Sequence, residues 1–270
     1  MKTSKLIGSS ILAIAIMASC SKKDDTSDSA NAQQDVQDVA IAMNGSMELD
    51  MMSDMSLDDD SRNKAEGVMA CASFTADFTG EVNTITLNFG EDNCQGEDGK
   101  YRRGMLEIAF PDNWAEAGAS HTITATGYGI NDYVYNGTRT VTYNGLNEDN
   151  NPSSSVSSNL TIDKPNNGGK IVWNSSRMRV WDEGFADGNP WNNKVSITGN
   201  ASGTAASGTS FNADILDALV VAANCSNVVA GQLNISSNSF DTRVIDYGNG
   251  DCDNEATLTV NGNTVTFRLK

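Results

Sequence analysis

From residue 68 to its C-terminus the chain is written largely in a two-residue period. Thr84–Phe89, His121–Thr126, Val134–Tyr143, Asn159–Ile162, Lys170–Trp173, Lys194–Thr198 and Leu233–Ser236 all alternate. Thr, Val, Ile and Tyr dominate these stretches, as half-buried pleated strands prefer. Asn136-Gly137, Asn144-Gly145, Gly168-Gly169, Asp187-Gly188 and Asn261-Gly262 punctuate them. Such pairs tolerate positive φ and so suit tight turns. The clearest hairpin is Ala256–Val260, a turn at Asn261-Gly262-Asn263, then Thr264–Leu269. With 24 glycines and only 4 prolines, the chain has many turns and no long stiff linker. These patterns predict an all-β fold, an antiparallel β-sandwich or partly open barrel. Asn212–Ala223 reads either as a helix with Ile215, Leu216, Leu219 and Val220 on one face or as a strand with a bulge.

The cysteines point to two related halves, 68–165 and 166–270. Cys71, Cys94, Cys225 and Cys252 allow three pairings. We expect Cys71–Cys94 and Cys225–Cys252, because each pair lies within one half. Each bridge closes a short loop and contributes about 3 kcal/mol by loop-closure arguments. The absence of a Cys-x-x-Cys, with one histidine in the whole chain, argues against zinc. Around these cysteines a pattern repeats. Ile85-Thr86-Leu87-Asn88-Phe89-Gly90 is followed after three residues by Cys94. Arg243-Val244-Ile245-Asp246-Tyr247-Gly248 is followed at the same distance by Cys252. Two copies of one β unit explain this. Whether the halves are separate domains or one continuous body is open.

The N-terminal region differs. Lys2 and Lys5 precede an apolar run from Leu6 to Met17, then Met17-Ala18-Ser19-Cys20. A run of about a dozen apolar residues is too short to span about 30 Å of hydrocarbon. It reads as a secretion signal over 1–19. The small residue before Cys20 and the polar tail after it resemble the lipobox of bacterial lipoproteins. That resemblance implies that Cys20 is diacylated and becomes the first mature residue, anchoring the chain to the outer membrane through its acyl chains. Ser21-Lys22-Lys23-Asp24-Asp25 resembles the export tag of surface lipoproteins in Bacteroidota, which implies the cell surface. Asp28-Ser29-Ala30 resembles that phylum's O-glycosylation site, which makes Ser29 a candidate acceptor. The C-terminal Cys252-Asp253-Asn254 hairpin is similar to that of small secreted lipoproteins of the same group.

Residues 20–67 are expected to form the acylated tether. Its start, 20–34, is rich in Ser, Asp, Lys, Asn and Gln and reads as disordered. Val36, Val39, Ala40, Met43, Met47, Met51 and Met55 recur at three and four, which predicts a short Met-striped helix near 35–56. Asn44-Gly45 weakens that pattern. Methionine there reads as flexible apolar filler.

Charge narrows the partners. The formal net charge is −17. Residues 1–19 hold two lysines and no acid, so the chain from Cys20 onward carries −19. Nucleic acid and anionic lipid surfaces are bound through Lys and Arg, so neither is an expected partner.

Catalytic signals are sparse. His121 sits in an alternating Ser120–Thr124 stretch and reads as a surface residue. Neither a Gly-x-Ser-x-Gly elbow nor a phosphate-binding loop is present. We expect a non-enzymatic protein, with no catalytic residues and no cofactor beyond a candidate structural calcium. Asp246, Asp251, Asp253 and Glu255, on a turn with Gly248 and Gly250, offer hard oxygen ligands for calcium. Trp173, Trp181 and Trp191 fall within nineteen residues. Their surroundings read as a long loop whose exposed rings could stack on sugars or face a protein; the competing reading is a core between sheets. Two functions therefore compete: an interaction or scaffold protein with an outer-membrane protein partner, and a surface lipoprotein that binds polysaccharide through the Trp loop.

Overall fold

The computed structural model describes residues 26–57, 69, 71–185, 187–225 and 227–269. Among these, one α-helix, α1 (Thr26–Leu57), precedes fourteen strands. The first half holds β1 (Ser73–Asp77), β2 (Asn83–Asn88), β3 (Cys94–Gln95), β4 (Tyr101–Phe110), β5 (Ser120–Ile130), β6 (Tyr133–Leu146) and β7 (Pro152–Asp163). The second holds β8 (Lys170–Glu183), β9 (Lys194–Thr204), β10 (Ser210–Ala222), β11 (Val228–Ser236), β12 (Arg243–Asn249), β13 (Glu255–Val260) and β14 (Asn263–Arg268).

All fourteen strands belong to one antiparallel sheet, an up-and-down meander in chain order with β3 set aside against β4. Consecutive strands are therefore joined by local connections, from two-residue turns to the ten residues between β8 and β9. The sheet is not closed into a barrel: β1 and β14 are its two ends and do not pair. It crosses the boundary between the expected halves without a break, β7 pairing with β8 from Ser153↔Val180 to Asp163↔Lys170.

Local chemistry explains the turns. Asn131 (φ 47°) and Asp132 (φ 73°) link β5 to β6, and Asn261 (φ 51°) and Gly262 (φ 77°) link β13 to β14. Both are two-residue hairpin turns whose positive φ matches the strand twist. Other Asn-Gly pairs serve differently. Asn136-Gly137 lies inside β6, where the Asn136 side-chain oxygen accepts from the Gly127 amide at 2.8 Å, beside a bulge in the β5–β6 ladder. A Cβ on Gly137 would lie 2.2 Å from the Asn159 carbonyl oxygen, so glycine allows the strands to close. Asn144-Gly145 likewise lies within β6, at a register shift against β7. Asn212–Ala222 belongs to β10, with register shifts against both neighbours.

The internal repeat has a structural counterpart. Asn88 and Asp246 each accept from the amide two residues on, at 2.8 and 2.9 Å. Gly90 and Gly248 follow with φ of 80° and 88°. Phe89 and Tyr247 are both buried. Disulfides Cys71–Cys94 and Cys225–Cys252 sit beside the two copies.

The helix is the core. It runs for 32 residues, about 48 Å at 1.5 Å per residue, and is much longer than the stripe at 35–56 predicts. Asn44-Gly45 does not interrupt it. Val39, Met43, Leu49 and Met52 are buried, but so are Asp38, Ser46, Glu48, Asp50 and Ser53. Acidic and apolar side chains alike are covered where the curled sheet meets the helix, and one stripe, Gln37, Ala40, Asn44, Met47 and Met51, is left exposed or half-buried. Glu48 and Asp50 point about 160° apart around the axis, yet both meet strand residues.

Gly45 shows how close the contact is. A Cβ there would lie 2.1 Å from Tyr135 Cε1. The Tyr135 hydroxyl also donates to the Ile41 carbonyl at 3.1 Å. Alanine normally favours a helix over glycine by about 1 kcal/mol. Here overpacking should dominate, and Gly45→Ala is expected to lower stability by about 1–3 kcal/mol. In a Tyr135→Ala background the same change should become stabilising. Urea midpoints of the four variants decide; a stabilising Gly45→Ala in the native background would show that the ring yields.

Candidate functional site

The interior is built from carboxylates on α1 and cations on alternate strands. Glu48 accepts from Arg102 of β4 at 2.8 Å (Nε) and 2.5 Å (Nη2), and from Lys100 at 2.7 Å. Arg102 also bonds Asp98 through both terminal nitrogens. Asp50 accepts two hydrogen bonds from Arg139 of β6, each 2.5 Å, and lies 3.6 Å from Arg179 Nε of β8. Arg179 Nη2 donates to Asp54 at 2.6 Å. Near the other end of the helix, Asp38 pairs with Lys164 and accepts from the Ala206 amide, and Asp35 accepts from Ser207.

Burial and pairing compete at these groups. Desolvation opposes ionisation of Asp50, but Arg139 and Arg179 outweigh it and hold the carboxyl below its ordinary range. Arg102 and Arg179 are desolvated too, yet their carboxylate partners keep them protonated. Arg177 faces the same interior with its guanidinium 5.1 Å from the Trp173 ring. Burial, together with the nearby charge of Arg139, pulls its pKa down to about 10.

His121 is an inner-face residue. Expected at the surface, it is 9 % exposed, and Ser53 Oγ of α1 lies 3.1 Å from its Nε2. Alternation places it on the face of Ile123 and Ala125, under the helix. Burial lowers its pKa despite Asp54 and Asp50 nearby. As pH falls below the unfolded value of about 6.5, the unfolded chain takes up the proton first. Stability attributable to His121 is thus full above that value and is lost as pH drops toward the folded value. His121 is the only histidine. Melting temperatures between pH 7.5 and 5.5 should therefore decline in the native protein and decline less in His121→Gln; equal slopes would contradict the assignment.

The tryptophans do not form an exposed loop. Trp173 and Trp181 lie on β8, at 0 % and 7 % exposure. Trp173 packs against Phe211, and Trp181 is covered by Phe185 and Arg179. Their even spacing puts both on the inner side of the strand. Trp191, in the short helical turn Pro190–Asn192, is exposed at 37 %. The proposed aromatic platform is thereby reduced from three rings to one.

The acidic turn is likewise engaged locally. Asp246 accepts from Gln232 and the Gly248 amide, and Asp253 from the Glu255 amide. Among the described residues, no three His, Cys, Asp or Glu side chains converge to hold a metal ion. Ser29 falls within α1 instead of in an unstructured linker. Cys20 and residues 21–25 lie outside the described residues.

Beside the ionic cluster is a cavity of about 160 Å³ between the C-terminal half of α1 and the segments from Asn193 to Ile197 and Val221 to Val228. Met47, Met51 and Met55 line one side, and Arg179 and Asn193, with Glu48, Asp50, Asp54 and Lys100, contribute polar groups.

The buried arginines are the residues that reading the sequence missed. Their signal was present in parity: Trp173, Ser175, Arg177, Arg179 and Trp181 share one face of β8, and Arg139 shares that of Val141. A cation on an apolar face calls for a carboxylate from another element. No protein-family model matches the chain, and neither does any curated protein or solved structure.

Proposed function

We propose that the protein is a lipid-anchored, non-enzymatic interaction protein of the outer membrane, held by acyl chains on Cys20 and facing the cell exterior. The observation that carries this reading is Lys2 to Asp25: basic start, short apolar run, Ala18-Ser19-Cys20 and the Ser-Lys-Lys-Asp-Asp tag. The position of α1 adds a physical consequence. Only residues 21–25 separate Cys20 from Thr26, a reach of about 18 Å at full extension. The β body would ride close to the membrane, within range of an integral protein partner. Its outer face suits water. Cross-strand neighbours Thr122, Thr140, Ser157, Ser176 and Asn200 form a polar row over β5–β9.

The polysaccharide reading loses support with the burial of Trp173 and Trp181. Crosslinking of the tagged chain in its own membranes, with Cys20→Ala alongside, tests the proposal. Palmitate labelling and one stoichiometric outer-membrane partner are expected for the native chain, and loss of both for Cys20→Ala. An unlabelled native chain would refute the anchor, and recovery of the protein alone would refute the partner.

A further inference from the structure

The curled sheet is not filled completely by its helix. The cavity beside Met47, Met51 and Met55 has a volume of about 160 Å³. That volume has room for one benzene-sized ring, in a pocket that opens to solvent on one side and carries Glu48, Asp50, Asp54 and Lys100 on its wall. We propose that it is a binding site for a small uncharged aromatic molecule with an amide or hydroxyl head. This proposal is independent of where the chain is anchored.

Size sets the body of the ligand, and the lining sets its character. The three methionines stand one turn apart on α1, and thioethers make favourable contacts with aromatic ring edges. Val195 and Val228 complete an apolar wall. The polar atoms set the head group. Arg179, only 5 % exposed, lines the cavity, and its Nη1 has no hydrogen-bond partner among the described residues. Asn193 lines it too, and its buried Oδ1 lacks a partner in the same way. One atom donates and the other accepts, so a group that can do both satisfies the pair.

Charge selects a neutral head. The Arg179 guanidinium is already matched by Asp54 at 2.6 Å and Asp50 at 3.6 Å. A ligand carboxylate would meet those two carboxylates and would bring no donor for Asn193 Oδ1. An amide brings both functions and no charge.

Benzamide is a suitable probe, with benzoate as its charged counterpart. In the full chain labelled at methionine methyls, titration should shift the Met47, Met51 and Met55 signals saturably. The expected dissociation constant is on the order of 0.1–1 mM, modest for so small a ligand. Benzoate should bind at least about tenfold more weakly, and Asn193→Leu should weaken benzamide by about tenfold, one hydrogen bond's worth. Unshifted methyls in the native chain would mean that the cavity holds water only and would overturn the proposal. Benzoate binding as tightly as benzamide would overturn the uncharged head. Because the titration is made on the native chain, a misfolded variant leaves the outcome decisive.

Discussion

Replacing Asp50 by alanine is expected to cost about 3–5 kcal/mol, the loss associated with breaking a buried ion pair from one side. Asp50 is 3 % exposed and takes both of its short hydrogen bonds from Arg139, which is 1 % exposed. Without the carboxylate, Arg139 keeps only its bond to Ser158, and Arg179 retains Asp54 alone. A buried guanidinium cannot shed its proton to escape the penalty, so the cost falls on the fold. Arg139→Ala should be milder, because Arg179 at 3.6 Å still compensates Asp50. The double variant Asp50→Leu/Arg139→Met should recover most of the loss, since apolar replacement of a whole buried pair is often near neutral. Denaturant titration of all three, followed by circular dichroism, ranks these costs. A cost below about 1 kcal/mol for Asp50→Ala would match the range of an exposed pair and would contradict the burial of this one.

Acid should act on the same contact. The folded carboxyl titrates below its ordinary range. Its contribution is therefore complete above the unfolded value of about 3.9 and is lost as pH falls through the folded value.

Trp173→Ala should be about as damaging, costing about 3–5 kcal/mol as large-to-small core changes do. The ring is completely buried and supports both Phe211 and the Arg177 guanidinium. Trp191→Ala should change stability by no more than about 0.5 kcal/mol, as surface substitutions do. The contrast separates a core role from a binding role for two residues that look alike in the sequence. If Trp173→Ala left the urea midpoint unchanged, β8 would have to present its other face to the helix.

Much of the sheet was legible because its causes are local. Alternation assigned His121–Thr126 and Val134–Tyr143 to strands, and Asn261-Gly262 marked a hairpin, each from fewer than a dozen neighbouring residues. The expected pairs Cys71–Cys94 and Cys225–Cys252, each within one half of the chain, are the disulfides observed, as loop closure favours near partners. Where sequence reasoning failed, the same patterns admitted two uses. Asn136-Gly137 reads as a turn, yet its glycine lets two strands approach inside β6. His121 alternates, and alternation alone does not say which face is inner.

The helix was harder to read. A stripe at three and four predicts one buried face, but α1 is buried over most of its circumference, leaving a stripe through Gln37, Ala40, Asn44, Met47 and Met51 exposed or half-buried, with Glu48 and Asp50 directed to different strands. Asp50 and Arg139 are 89 residues apart. By itself the sequence determined most of the strands, the Asn261-Gly262 hairpin and the expected cysteine pairs, which follow from backbone sterics, short-range alternation and short loops. Only the tertiary structure decided that the sheet curls around α1, that the inward arginines meet its carboxylates, and that a cavity remains beside the methionines. Those outcomes depend on the accumulated twist of many strands and on charges that become neighbours only when the sheet has curled against the helix.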